Sequence, residues 1–229
     1  MGEKAIPPLL DVLAQAESRA VRRKVFDTLV GLGASAAEAA LRALPGDRWY
    51  VTRNLLSLAR KAGYHFAWFD PDPYLASPEP TTRREAYRLA YLDPKRRTTA
   101  LIAAIEESDT HMVLEALAEL DNGVPSLVAS SLSTWAVDDS LNERIRLHSI
   151  RALANSRAPV VLSALMAAAS YRTRILRRRK MRKPDAVVRA ALGVLVQRWA
   201  RNPEAQAVLA LARRAGIDPV PPATEESNG

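Results

Sequence analysis

Cysteine is absent from the 229-residue chain, which rules out a disulfide framework, a thiolate nucleophile and a thiolate metal site. Such a composition suits a reducing compartment, and a cytoplasmic location is expected. Histidine is sparse and scattered at His65, His111 and His148, and no His-Glu-x-x-His pattern or Gly-rich phosphate loop occurs. Without those constellations a non-catalytic protein is expected, with no cofactor and no metal. The start, MGEKAIPPLL, lacks a basic region followed by a long apolar run, and no later stretch reaches the roughly eighteen consecutive apolar residues that a membrane span requires. Glycine is scarce as well: nine residues, against a typical usage of about 7%, stand mostly where helices should stop. A helix-dominated chain follows.

Hydrophobic residues make up 48% of the sequence, ample for a buried core. The net charge of +8 has a local origin, because residues 172–183, RTRILRRRKMRK, hold eight cations and no acid. The remaining 25 Lys and Arg balance the 25 Asp and Glu. The body is neutral and one segment is basic.

Apolar residues recur at steps of three and four along most of the chain, as in Ile6, Leu9, Leu10 and Leu13 and again in Val21, Val25, Leu29 and Leu32. The pattern predicts helical hairpins over 4–33, 35–63, 64–94, 95–120, 124–155 and 159–201, then a last helix from Pro203 to Gly216. Ser35 with Glu38, Thr82 with Glu85 and Ser140 with Glu143 have the spacing of capping boxes, and Asp47 is expected to cap the helix that follows it. In the third unit, four prolines among Tyr64, Phe66, Trp68, Phe69 and Tyr74 predict a short or broken first helix. The tail, 218–229, is rich in Pro, Glu and Ser and is expected to be disordered.

Overlaying the second helices puts Val25, Leu55, Ala86, Val113, Ser149 and Ala191 in register, each followed by a small or apolar pair three and four residues on. Uneven spacings of 30, 31, 27, 36 and 42 residues are what helical repeats tolerate when insertions fall in loops. The expected fold is all-α, an α-solenoid of about six hairpins forming one domain over 1–217. A repeat-like helix follows the first residues with no polar capping repeat, so the array is expected to continue beyond this sequence.

The order Val or Tyr-Val, Arg, a small residue, then a small-Leu pair ending in Gly resembles HEAT repeats, most clearly in residues 47–63 and 20–33. The resemblance covers roughly residues 4–201. Within that family the chain is most similar to bacterial HEAT-repeat proteins related to the lyase-type repeats of phycobilisome assembly, where a Trp-Tyr-Val-x-Arg-Asn helix, here 49–54, is common. The resemblance implies a right-handed α-α superhelix whose second helices line a concave face. It implies no single function, since such arrays serve as scaffolds, adaptors, chromophore-attachment proteins and a few DNA-repair enzymes.

Arg23, Arg53, Arg84 and Arg189 each stand two residues before the register position, a ladder suited to an acidic partner or, alternatively, to pairing with Glu17, Asp47, Asp109 and Asp185 near the turns. Trp68, Phe69 and Tyr74 either form a ligand pocket or a protein hot spot, or fill the gap left by the broken helix. The basic segment offers Arg172, Arg174, Arg177, Arg178, Arg179, Lys180, Arg182 and Lys183 to phosphates or an anionic surface, or is a solvated loop or an extension of the preceding helix. Only Tyr171 is adjacent as a stacking ring, so recognition of single strands by stacking is not supported. A protein-binding scaffold is the leading expectation. The alternative is a nucleic-acid-binding or DNA-repair protein resembling the alkylpurine glycosylases with HEAT-like repeats.

Overall fold

Helices that bury one apolar stripe account for most of the computed structural model, which describes residues 2–120, 123–173 and 178–220. They fall into two compact units, Met1–Ala104 and Ile105–Gly229. The fold is all-α, and within each unit the helices stack as the hairpins of an α-solenoid.

The first unit contains α1 (Ile6–Gln15), α2 (Arg19–Gly31), α3 (Ala34–Arg42), α4 (Trp49–Lys61), α5 (Asp72–Leu75), α6 (Pro80–Ala90) and α7 (Arg97–Ile105). Here α1 packs on α2 and α3 on α4, while α1 also meets α3, α2 meets α4 and α4 meets α6. First helices therefore stack on first helices and second on second. Leu13, Leu29, Leu55 and Leu58 form one cluster, and Leu41, Leu56, Ala86 and Leu89 form the next. Each fully buried leucine contributes about 1.5–3 kcal/mol. Pro7 and Pro8 sit in the first turn of α1, where a missing N–H leaves no bond unmade.

The second unit contains α8 (Thr110–Glu119), α9 (Ser126–Val137), α10 (Glu143–Leu153), α11 (Val160–Ala169), β1 (Ser170–Arg172), β2 (Arg179–Met181), α12 (Ala186–Trp199) and α13 (Pro203–Arg214). The same stacking recurs, with α8 on α10, α10 on α12, α9 on α11 and α11 on α13. Helix α12 buries Val187, Val188, Leu192, Val194 and Leu195 because α10, α11 and α13 all pack against it. The register positions face inward: Leu55, Ala86, Val113, Ser149 and Ala191 are buried and Val25 packs against the first cluster. Ser149 is tolerated there because its hydroxyl donates to the Ile145 carbonyl at 2.8 Å.

Four expected caps are not formed. Helix α3 starts directly after Gly33, whose φ of 69° suits glycine, so Ser35 already lies in the first turn and donates to Glu3 Oε1, while Glu38 accepts from Arg42. Helix α4 begins after Arg48 with no side-chain cap, and the Gly46 N–H donates to Thr52 Oγ1 rather than leaving the turn to Asp47. Helix α6 begins at Pro80, which frees Glu85 from Thr82. Asn142, not Ser140, caps α10 by accepting from the Arg144 N–H. A Ser/Thr-x-x-Glu spacing is also an ordinary i, i+3 spacing inside a helix, so it does not fix where the helix begins.

Arginines close several turns instead. Arg22 Nη1 donates to the carbonyls of Ala16 and Glu17 at 2.6 and 2.8 Å. Arg83 does the same for Ser77 and Pro78, and Arg97 donates to Tyr91. Each satisfies a carbonyl six residues back that the bend leaves without a helical partner.

The third hairpin holds only the four-residue α5 where a first helix should stand. Phe66, Phe69, Tyr74 and Leu75 pack against the Leu41, Leu56 and Leu89 cluster in its place. Of the tail, residues 221–229 lie outside the described residues, and the Val220 N–H donates to the Arg189 carbonyl at 3.1 Å. Among the described residues no helix is long and apolar enough to cross a membrane.

Candidate functional site

Helical spacing carries Arg19, Arg22, Arg23, Phe26 and Asp27 to one face of α2, and Arg53, Ser57 and Lys61 to one face of α4. Between them, inside the first unit, runs a groove of about 630 Å³ that Leu13, Asn54 and Glu85 also line. Five cations face two acids there. Glu85, 8% exposed, is already engaged by Arg60 Nε and Arg88 Nη1, each at 2.8 Å. The groove is therefore positive where Arg19, Arg23 and Lys61 reach solvent.

Two of the four ladder arginines, Arg23 and Arg53, line this groove. Arg84 is half-buried on α6, and Arg189 is exposed on α12 in the second unit. Two of the acids near the turns serve as helix caps. The Glu17 carbonyl accepts from Arg22, while Asp109 and Asp185 cap α8 and α12 through the N–H groups of His111 and Val188. Arg53 donates to Asn54 Oδ1 at 2.6 Å and lies 5.9 Å from the exposed Trp49 ring, and Lys61 lies 5.5 Å from Phe26. Cation-π contacts hold these side chains without neutralising them.

The aromatic segment divides by burial. Phe69 stacks on Tyr74 at 6.0 Å, both against the core, and burial raises the Tyr74 phenol above its ordinary pKa. Trp68 is 49% exposed, with the Arg42 guanidinium 4.8 Å from its ring centroid. Beside them lies an ionic cluster in which Arg96 reaches Asp70 at 3.0 Å and Asp72 at 2.8 Å, and His65 Nε2 is 3.3 Å from Asp93. The Lys95 backbone N–H, with His65 and Arg96, holds the Asp93 carboxyl below its ordinary range.

In the second unit the described part of the basic segment does not extend α11. It forms an antiparallel hairpin in which Ser170 faces Met181, Tyr171 faces Lys180 and Arg172 faces Arg179. Ser170 leaves α11 in an extended conformation, and its hydroxyl donates to the Met166 carbonyl at 2.7 Å, which ends the helix. Arg179 donates to Ser170 Oγ at 3.0 Å, and Arg182 donates to the Ala167 carbonyl at the C-terminal end of α11. Arg182 also meets Asp139 at 2.6 Å, and Asp139 is shared with Arg146 at 2.9 Å. Arg172, Arg178, Lys180 and Lys183 are exposed, while Arg174 and Arg177 lie outside the described residues.

Sequence reasoning missed both the groove and the hairpin. The groove was readable from the i, i+3, i+4 recurrence of cations on α2 and α4, which spacing relative to the register had reduced to one arginine per helix. Three-residue strands carry no alternation long enough to read. Among the described residues no group of three or more His, Asp or Glu side chains is placed to hold a metal ion.

No protein-family model and no curated protein matches the chain. Among solved structures it is similar to human deoxyhypusine hydroxylase in complex with glycerol, with 16% identity and a TM-score of 0.43, over 93% of this chain and 97% of that one. At that identity and score the likeness assigns no residue a role.

Proposed function

We propose that the chain is a cytoplasmic, non-catalytic, HEAT-like adaptor of the lyase-related repeat type, and that it holds an acidic segment of a protein partner on the α2 and α4 face. The groove of about 630 Å³ between these helices carries the reading. Its cations are spaced along two rigid helices, so they present a fixed pattern to carboxylates and lose little freedom on binding. Arg23 and Arg53 make the contacts at its centre, and Arg84 and Arg189 repeat the charge on later second helices. Trp68, exposed and stacked with Arg42, supplies an aromatic anchor of the kind that dominates protein interfaces, supported by Phe69 and Tyr74 beneath it.

The test is fluorescence anisotropy with a labelled Glu-rich peptide and its Gln-for-Glu counterpart. Arg23→Glu combined with Arg53→Glu should weaken the acidic peptide at least about tenfold, or roughly 1.4 kcal/mol. It should leave the neutral peptide unaffected. Equal binding of the two peptides to the unaltered protein would sink the reading.

A further inference from the structure

We infer that the β1–β2 hairpin is a contact surface for the phosphate backbone of double-stranded nucleic acid, independent of the groove in the first unit. The hairpin is inserted between α11 and α12, where the neighbouring pair, α9 and α10, needs only a short turn. Its root is fixed: Ser170 is buried, β1 packs on α11, β2 packs on α13, and Arg182 binds Ala167 and Asp139. A mobile tether would need none of this.

Beyond the root, among the described residues, no carboxylate is paired with the exposed cations. Asp139 is the carboxylate that meets the hairpin among the described residues, and Arg182 and Arg146 already share it. Tyr171 and Lys180 lie opposite each other, so their side chains leave the ribbon on the same face, and Tyr171 is 47% exposed. Arg172, Arg178 and Lys183 add exposed cations at both ends of that ribbon. Guanidinium groups match phosphate oxygens in pairs of hydrogen bonds.

The choice of polyanion follows from what accompanies the charge. A membrane-surface element needs a broad apolar face beside its cations, and Tyr171 is the ring the described ribbon exposes. A single-strand channel needs successive stacking rings. A two-stranded ribbon with cations and one aromatic fits a duplex, whose major groove admits such a ribbon and whose phosphates flank it. Contacts of this type position the protein without reading sequence.

The test is anisotropy with a labelled DNA duplex of mixed sequence. Four neutralised phosphates predict a slope of log affinity against log salt of about −3 to −4, or roughly a hundredfold loss between about 50 and 200 mM salt. Arg172→Ala, Arg178→Ala, Lys180→Ala and Lys183→Ala together should abolish most of that slope and weaken low-salt binding more than about tenfold. All four side chains are exposed, so circular dichroism should be unchanged; Lys180→Ala alone should lower the slope by about one. Arg23→Glu with Arg53→Glu, in the other unit, should retain the hairpin's salt dependence. Any one of four results overturns the inference: no duplex binding at low salt, binding unchanged in the quadruple variant, tighter binding of a single strand of the same sequence, or preference for phosphatidylserine vesicles over duplex.

Discussion

The groove in the first unit and the hairpin in the second are both rich in arginine, yet their charges are held differently. In the groove, Asp27 and Glu85 stand among the cations, and Arg53 and Lys61 lean on aromatic rings. On the hairpin, the nearby carboxylate is spent at the root and the outer cations face solvent. A mixed, rigid groove favours selectivity among acidic shapes, whereas an unmixed ribbon favours any dense array of phosphates. Net charge alone, which is dominated by residues 172–183, would have pointed only to the second.

The sharpest way to break that contrast is to disturb the cores that support the two regions. Leu58→Ala in the first unit and Leu165→Ala in the second each remove a fully buried side chain and should cost about 3 kcal/mol by urea denaturation. If one proves nearly neutral, its unit is not the rigid support described.

A smaller effect separates the two ionic centres. Glu85→Gln should cost about 2 kcal/mol, because Arg60 and Arg88 lose the shared negative charge and one of its two acceptor oxygens in a site of low exposure. Asp139→Asn should cost under about 1 kcal/mol, since Asp139 is 63% exposed. Its signature lies elsewhere: the Thr173 and Arg182 amides, which bond to Arg178 and Ala169, should exchange faster. Equal losses for the two variants would erase the distinction between them.

Helix starts give a finer comparison. Asn202 accepts from the N–H groups of both Glu204 and Ala205, so Asn202→Ala should cost about 1 kcal/mol. Asp47→Ala should leave the denaturation midpoint unmoved, because no cap depends on it.

Acid should act on both units, though only slightly. Asp93 is held below its ordinary range by the Lys95 N–H, His65 and Arg96, and Asp138 by hydrogen bonds from Ser140. A depressed carboxyl contributes stability that is full above the ordinary aspartate value, about pH 4, and is lost as pH falls through the lowered one. Asp93→Asn should flatten that acid loss for the first unit and Asp138→Asn for the second, as denaturation profiles taken down to low pH would register.

Much of the fold was legible because a 3.6-residue apolar period survives any detail of capping. Leu55, Ala86 and Val113 were placed in register by spacing and are buried. The short α5 was legible too, since four prolines leave too few N–H groups for a longer helix. Caps at Ser35, Thr82 and Ser140 were misread because Gly33, Pro80 and Asn142 set the helix starts and the Ser/Thr spacing did not. The hairpin was illegible because arginine and lysine have little intrinsic strand preference. Its pairing depends on tertiary anchors at Ala167, Ser170 and Asp139 that lie up to 43 residues away.

The arginines that close the turns have a consequence for how such a chain grows. Arg22, Arg83 and Arg97 each satisfy a carbonyl only six residues back. The closure of a bend is thus written inside the segment that makes it, with no help from a distant helix. Duplicating a stretch of gene that spans one bend copies its seal along with it, so a new hairpin enters the stack already closed and must evolve only its outward face.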